Sequence, residues 1–250
     1  MSRLSRRIGT IDPGRGGPLS PSQSPSSGGR GPSTTAEKRT VANWLVAGLV
    51  LLLAALALAL AAAGPGTVPG DIAIARTVQR PTSGTIDAAA EVISLIGADY
   101  PSTVVLAAIG VGLLIFSGRR DLALFLAVAA ALRAIGPVLK VLIASPRPTV
   151  EAVVIVAKAD GLGFPSGHAL GAALLFGAIM IIAPQVVANR LVARGAQVVA
   201  IAMMALIALS RVRLGVHWPS DVGGGLLFGL AAVCLMQAVV VAWRQAHVRR

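Results

Sequence analysis

Apolar positions in this chain gather into long, nearly uninterrupted runs instead of a single stripe along each helix. The clearest run, "NWLVAGLVLLLAALALALAAAG" from Asn43 to Gly64, holds no charge. A helix needs about 20 such residues to cross a bilayer. Five further stretches approach that length: Pro101–Ser117, Leu122–Ile143, Ala169–Pro184, Ala196–Leu209 and Val222–Trp243. The pattern predicts an all-α integral membrane bundle of six helices, forming one domain over residues 40–244. The first run is too long to be a cleaved signal peptide, and it follows too many polar residues.

Polar interruptions refine this outline. Residues 1–39 are rich in Ser, Pro, Gly and Arg and have little to bury, which predicts a disordered basic tail weakly drawn to anionic lipid. Residues 245–250 form a second, short basic tail. Between the first two runs, "TIDAAAEVISLIGADY" sets Ile86, Ala89, Ala90, Ile93, Ile96 and Gly97 at helical spacing beside Asp87, Glu91 and Asp99. This reads as an amphipathic segment on the outer interface that either shapes a lipid entry or simply packs over the bundle. The third run carries Arg133 and Lys140 on nearly one helical face. At 1.5 Å per residue they lie about 18 Å and about 28 Å along a helix starting at Asp121, so Arg133 falls within the hydrocarbon. Charges so placed usually face a bundle interior and mark a site. Gly136-Pro137 between them predicts a bend.

Composition agrees with a membrane protein: 55% of residues are hydrophobic and 13% charged. The net charge of +12 is informative through its placement. With the tail cytoplasmic, alternating spans bring Arg119, Arg120, Arg190, Arg194, Arg244, Arg249 and Arg250 to the same side as the tail's seven, together 14 of the 22 Lys and Arg. Both termini are then cytoplasmic. Charge scattered over short loops and tails does not fit nucleic-acid binding. Arg147, Lys158, Arg211 and Arg213 sit in the opposite, outward loops (residues 144–167 and 210–220), against the positive-inside tendency, and call for another explanation. Cys234, the one cysteine, excludes an internal disulfide and reads as a small core residue. The Ala, Gly, Val and Arg bias points to a GC-rich bacterial genome, hence a multi-pass protein of the plasma membrane.

Three motifs fall at the outward ends of these helices. They are "KVLIASPRP" with Lys140 and Arg147, "PSGH" from Pro165 to His168, and "SRVRLGVHWPSD" with Ser210, Arg211, His217 and Asp221. Taken singly, each has a plain explanation: snorkelling cations, a helix start capped by Ser166, and a polar loop. Together they gather three cations, a helix amino terminus that favours an anion, two of the chain's three His and an Asp able to orient one of them. Cations and backbone N–H groups suit the oxygens of a transferring phosphoryl group. A neutral His can attack phosphorus while a carboxylate fixes its tautomer, and a second His can protonate the leaving oxygen.

The series Lys-x6-Arg-Pro, Pro-Ser-Gly-His and Ser-Arg-x5-His-x3-Asp, across residues 140–221, is similar to the signature of the type-2 phosphatidic acid phosphatase family. Its relatives include soluble bacterial acid phosphatases and vanadium-dependent haloperoxidases. The resemblance implies a six-helix core over about residues 41–243 that hydrolyses a lipid phosphate monoester or diphosphate without cofactor or metal. It further implies that His217 is the nucleophile and forms a phosphohistidine, that Asp221 orients His217, and that His168 protonates the leaving lipid oxygen. Lys140, Arg147 and Arg211, with Ser166 and the Gly167 N–H, would hold the phosphate. Arg133 and Arg213 match no motif position; Arg133 reads as a structural or supporting charge, Arg213 as a loop residue. A non-catalytic lipid-phosphate-binding or transport protein is the alternative, disfavoured because binding alone needs only the cations. Haloperoxidase chemistry is disfavoured by the membrane core.

Overall fold

A computed structural model describes residues 33–98 and 100–248; the expected tail, residues 1–32, and Arg249-Arg250 lie outside the described residues. Those described form nine helices and no strands. They are α1 (Ser33–Ala62), α2 (Asp71–Gln79), α3 (Gly84–Ala98), α4 (Tyr100–Phe116), α5 (Arg120–Leu132), α6 (Ile135–Ile143), α7 (Gly167–Val186), α8 (Arg190–Arg213) and α9 (Pro219–Val248). α1 therefore begins inside the stretch expected to be unstructured, and α9 continues into the expected C-terminal tail.

Five segments are long and apolar enough to cross a membrane: Lys38–Ala62, Arg120–Ile143, Gly167–Val186, Arg190–Arg213 and Pro219–His247. The second of the six expected spans, Pro101–Ser117, falls on the shorter helix α4, whose stretch Val104–Phe116 is apolar. Large apolar side chains such as Leu60, Phe116, Leu142 and Leu191 point outward, as suits a bundle whose solvent is hydrocarbon.

Arg120–Ile143 is broken at Arg133–Ala134, slightly before the bend expected at Gly136-Pro137. Pro137 has no N–H to give the Arg133 carbonyl, and its ring crowds that oxygen. Gly136 N–H takes the carbonyl instead, at 3.0 Å, which tightens the chain and ends α5. A similar repair occurs in α7. Pro184 frees the carbonyl of Met180, and Gln197 Nε2 of α8 donates to it at 2.9 Å. Such an interhelical bond contributes about 0.6–2 kcal/mol in a membrane. α8 is longer than its apolar stretch suggested because Asn189 caps it, accepting from Leu191 N–H at 2.9 Å and Val192 N–H at 3.3 Å.

α7 is the most enclosed of the five long helices. Small residues let it meet its neighbours closely. A Cβ on Gly225 of α9 would lie 2.6 Å from the Ser166 carbonyl, and one on Gly229 2.5 Å from Ala173 Cβ. Leu170, Leu174 and Ala178 of α7 join Phe125 and Ala129 of α5 and Val233 of α9 in the main core cluster.

The order of the helices places the end of α6, the start of α7, the end of α8 and the start of α9 at one end of the bundle. At the other end Arg119 Nη1 donates to the Gln185 carbonyl at 2.6 Å, and Arg244 reaches Gln185 Oε1 at 3.1 Å and pairs with Asp121. Arg119 and Arg244, two of the cations that the sequence grouped on one side, thus sit at the end remote from the three motifs. α3 packs over the bundle, the second of the two readings of the amphipathic segment: Ala90 joins Leu214 and Val216 in one cluster, and Ser94 is buried.

Candidate active site

The start of α9 sets the geometry. Pro219 occupies the first helical position, where its missing N–H costs nothing. Asp221, two residues on, reaches back so that Oδ2 accepts the Trp218 N–H at 2.9 Å. This is the acidic half of a capping box. The same oxygen lies 3.2 Å from His217 Nδ1, so Nδ1 carries the proton and donates it, and the lone pair is left on Nε2. The Asp221 carbonyl accepts the Ser166 N–H at 2.9 Å, which ties α9 to the start of α7. Gly163 makes room for this carboxylate: a Cβ there would stand 2.8 Å from Asp221 Oδ2 and 3.1 Å from the Pro146 carbonyl.

Arg147 approaches His217 from the other side. Its Nη1 is 3.3 Å from His217 Nε2 and donates to the Val216 carbonyl at 2.5 Å, while Nε is shared between the carbonyls of Asp160 and Gly161. Lys140 Nζ donates to the carbonyls of Leu162 at 2.5 Å and Gly163 at 3.0 Å. An ammonium has three donors, so one remains for a ligand. Both cations therefore organise the loop before α7 and also border His217.

Ser166 takes the N-cap position of α7, yet its side chain makes no capping bond. Its Oγ is buried without a hydrogen-bond partner among the described residues. Leaving a hydroxyl so costs about 1–3 kcal/mol, which a bound anion would offset. His168 is half-buried in the first turn of α7, within electrostatic reach of Arg211, Arg133, Arg147 and Lys140. Arg211 is buried at the end of α8, where Nη1 donates to Ser94 Oγ of α3.

Burial holds the His217 imidazole well below its ordinary pKa, and the charges of Arg147, Lys140 and Arg211 push the same way. His217 is thus a neutral imidazole with its free lone pair facing a guanidinium.

The eight residues singled out in the sequence collect around one spot, from four helix ends and two loops. Three further buried residues brace these helix ends. Asp71 of α2 is buried and accepts from Ser220 N–H at 2.8 Å and Ser220 Oγ at 2.6 Å. Ser94 holds Arg211. Arg213 corrects its reading as a loop residue: it is buried at the end of α8, pairs with Asp87 of α3 at 2.7 Å and donates to the Val78 carbonyl at 3.3 Å. Arg133 is also buried, its guanidinium lying against Gly171, where no side chain would fit.

The model of the PAP2 superfamily matches residues 121–245, half of the chain and all of the motif region. The chain belongs to the PAP2 superfamily. Among solved structures, this PAP2 protein is similar to the first transmembrane PAP2-type phosphatidylglycerolphosphate phosphatase from Bacillus subtilis. The TM-score is 0.65 at 25% identity, covering 80% of this chain and 96% of the other. No curated protein matches by sequence. Family and likeness together support a phosphatase built into a multi-pass helical membrane protein.

Proposed function

We propose that this PAP2 protein hydrolyses a lipid phosphate monoester or diphosphate through a phosphohistidine on His217. The observation that carries the reading is the pair of contacts on one imidazole, Asp221 on Nδ1 and Arg147 on Nε2. Binding a phosphate requires neither the tautomer lock nor a lone pair aimed at the cations. That arrangement favours turnover over a binding or transport role.

In this reading the phosphate displaces the Arg147 contact and settles among Lys140, Arg147, Arg211, Ser166 Oγ and the Gly167 N–H. His217 Nε2 attacks phosphorus and the P–O bond to the lipid breaks. The departing oxygen takes a proton from His168. His168, now neutral, removes a proton from water; the water oxygen bonds to phosphorus, the P–N bond breaks, and inorganic phosphate leaves. Asp221 stabilises the charge on His217 in both steps. Cations and N–H donors arranged beforehand carry most of the stabilisation of the equatorial oxygens.

The site is read as facing outward, because the end bearing Arg119, Arg190, Arg194 and Arg244 is the one the positive-inside tendency assigns to the cytoplasm. A plasma-membrane lipid phosphate in the outer leaflet is then the substrate class, a reading supported by the lipid phosphatase likeness.

The test is phosphate release by the detergent-purified protein, with EDTA present, from phosphatidic acid, phosphatidylglycerophosphate and a polyprenyl diphosphate. The expected result is release from at least one lipid and its loss in His217→Ala. Release from none, or equal release by His217→Ala, would contradict the mechanism.

A further inference from the structure

We infer that Asp71 is a positioning residue for the His217–Asp221 pair. The inference rests on the catalytic reading above and adds a residue from outside the stretch that matches the family model.

The first turn of α9 has a gap in its own capping. The N-cap residue, Trp218, has no side-chain acceptor for the free N–H groups behind it. Asp71 supplies that acceptor from another helix. Its Oδ1 takes the Ser220 N–H at 2.8 Å, and its Oδ2 takes the Ser220 hydroxyl at 2.6 Å. Both bonds are buried, and they join residues far apart in sequence. A carboxylate at this end of a helix is also favoured by the helix dipole.

Ser220 is the residue immediately before Asp221, so the two bonds fix the rotation and height of that turn. Asp221 then needs only one rotamer to place Oδ2 between Trp218 N–H and His217 Nδ1. Asp71 is itself held: Gly70, in the left-handed conformation, turns the chain into α2, and Ala75 packs with Trp218 and Val222 in one cluster. α2 thus sets the register of α9, and through it the tautomer of the nucleophile.

The test combines kinetics with a readout that needs no substrate. Asp71→Ala should lower kcat per folded molecule by roughly tenfold or more, with KM changed less than about threefold, because alignment is lost and phosphate binding is not. Ser220→Ala, which removes only the hydroxyl bond, should have a smaller effect in the same direction. The double variant should be no worse than Asp71→Ala. Nitrogen-15 histidine NMR of the unliganded protein should show His217 as the Nδ1–H tautomer in wild type and as a mixture in Asp71→Ala. If Asp71→Ala does not fold, Asp71→Leu, which keeps the bulk of the side chain but has no acceptor for Ser220, takes its place in both measurements. Unchanged kcat per folded molecule together with an unchanged tautomer would overturn the inference. So would additive losses in the double variant. A wild type that hydrolyses no lipid phosphate would defeat the catalytic reading alone, because the tautomer still reports whether Asp71 acts on His217.

Discussion

Arg147 Nη1 lies 3.3 Å from His217 Nε2, so a guanidinium rests on the atom assigned to attack phosphorus. The same Arg147 nitrogen holds the Val216 carbonyl, and Nε holds Asp160 and Gly161. One side chain therefore links the loop before α7 to the turn before α9 and guards the nucleophile until an anion arrives. Lys lacks the planar fork needed for these contacts. Arg147→Lys should lower kcat/KM for lipid phosphate by roughly 100-fold while the protein stays folded, as steady-state kinetics and thermal melting would show. A loss below about threefold would remove Arg147 from the phosphate site.

Acid should not silence His217 at the usual imidazole value. Its pKa is lowered by burial and by neighbouring cations, so the neutral, nucleophilic form persists as pH falls below about 6.5. An NMR titration of the unliganded protein should show no protonation of His217 from pH 8 to pH 6. Protonation near the ordinary value would mean that the site is wetter than described. The unfolded chain binds this proton first, so the stability contributed by neutral His217 is present above about pH 6.5 and declines as pH drops below it. Removing a nearby cation, as in Arg147→Ala, should raise the His217 pKa.

Gly163 should tolerate no side chain. Gly163→Ala places a methyl 2.8 Å from Asp221 Oδ2 and 3.1 Å from the Pro146 carbonyl, so the carboxylate must shift. The expected outcome is at least a tenfold fall in kcat, through a displaced Asp221. Gly195→Ala in α8 is the control, since nothing lies within 4 Å of its Cβ. It should keep activity and raise stability by up to about 1 kcal/mol.

Ser94→Ala removes the hydroxyl that accepts from Arg211. The guanidinium remains but is less fixed, so KM should rise by about two- to tenfold with kcat nearly constant. An unchanged KM would place Arg211 away from the bound phosphate.

The parts of this site that were legible in the sequence are those written in short contiguous pieces. His217 and Asp221 are one helical turn apart, and Pro165 to His168 begin a helix, so spacing alone brings their atoms together. Asp71, Ser94 and Arg213 were not legible in this way. Their partners stand 149, 117 and 126 residues away, and only the packing of α2 and α3 on α8 and α9 brings them near. Arg213 looked like a loop residue because apolarity ended before it, yet α8 runs on and buries it against Asp87. The long apolar runs were plain, since hydrocarbon demands continuity. The second expected stretch, Pro101–Ser117, was equally plain: it coincides with α4 (Tyr100–Phe116), a helix shorter than the five long segments.

The central claim is that phosphate passes through His217. The direct measurement is a rapid-quench experiment on purified protein with a lipid phosphate labelled in its phosphoryl group. Label is expected on wild type during turnover, stable in alkali and labile in acid as a phosphohistidine is, mapped to His217 and missing from His217→Ala. Phosphate release by wild type with no labelled protein at any time, or label retained by His217→Ala, would contradict it.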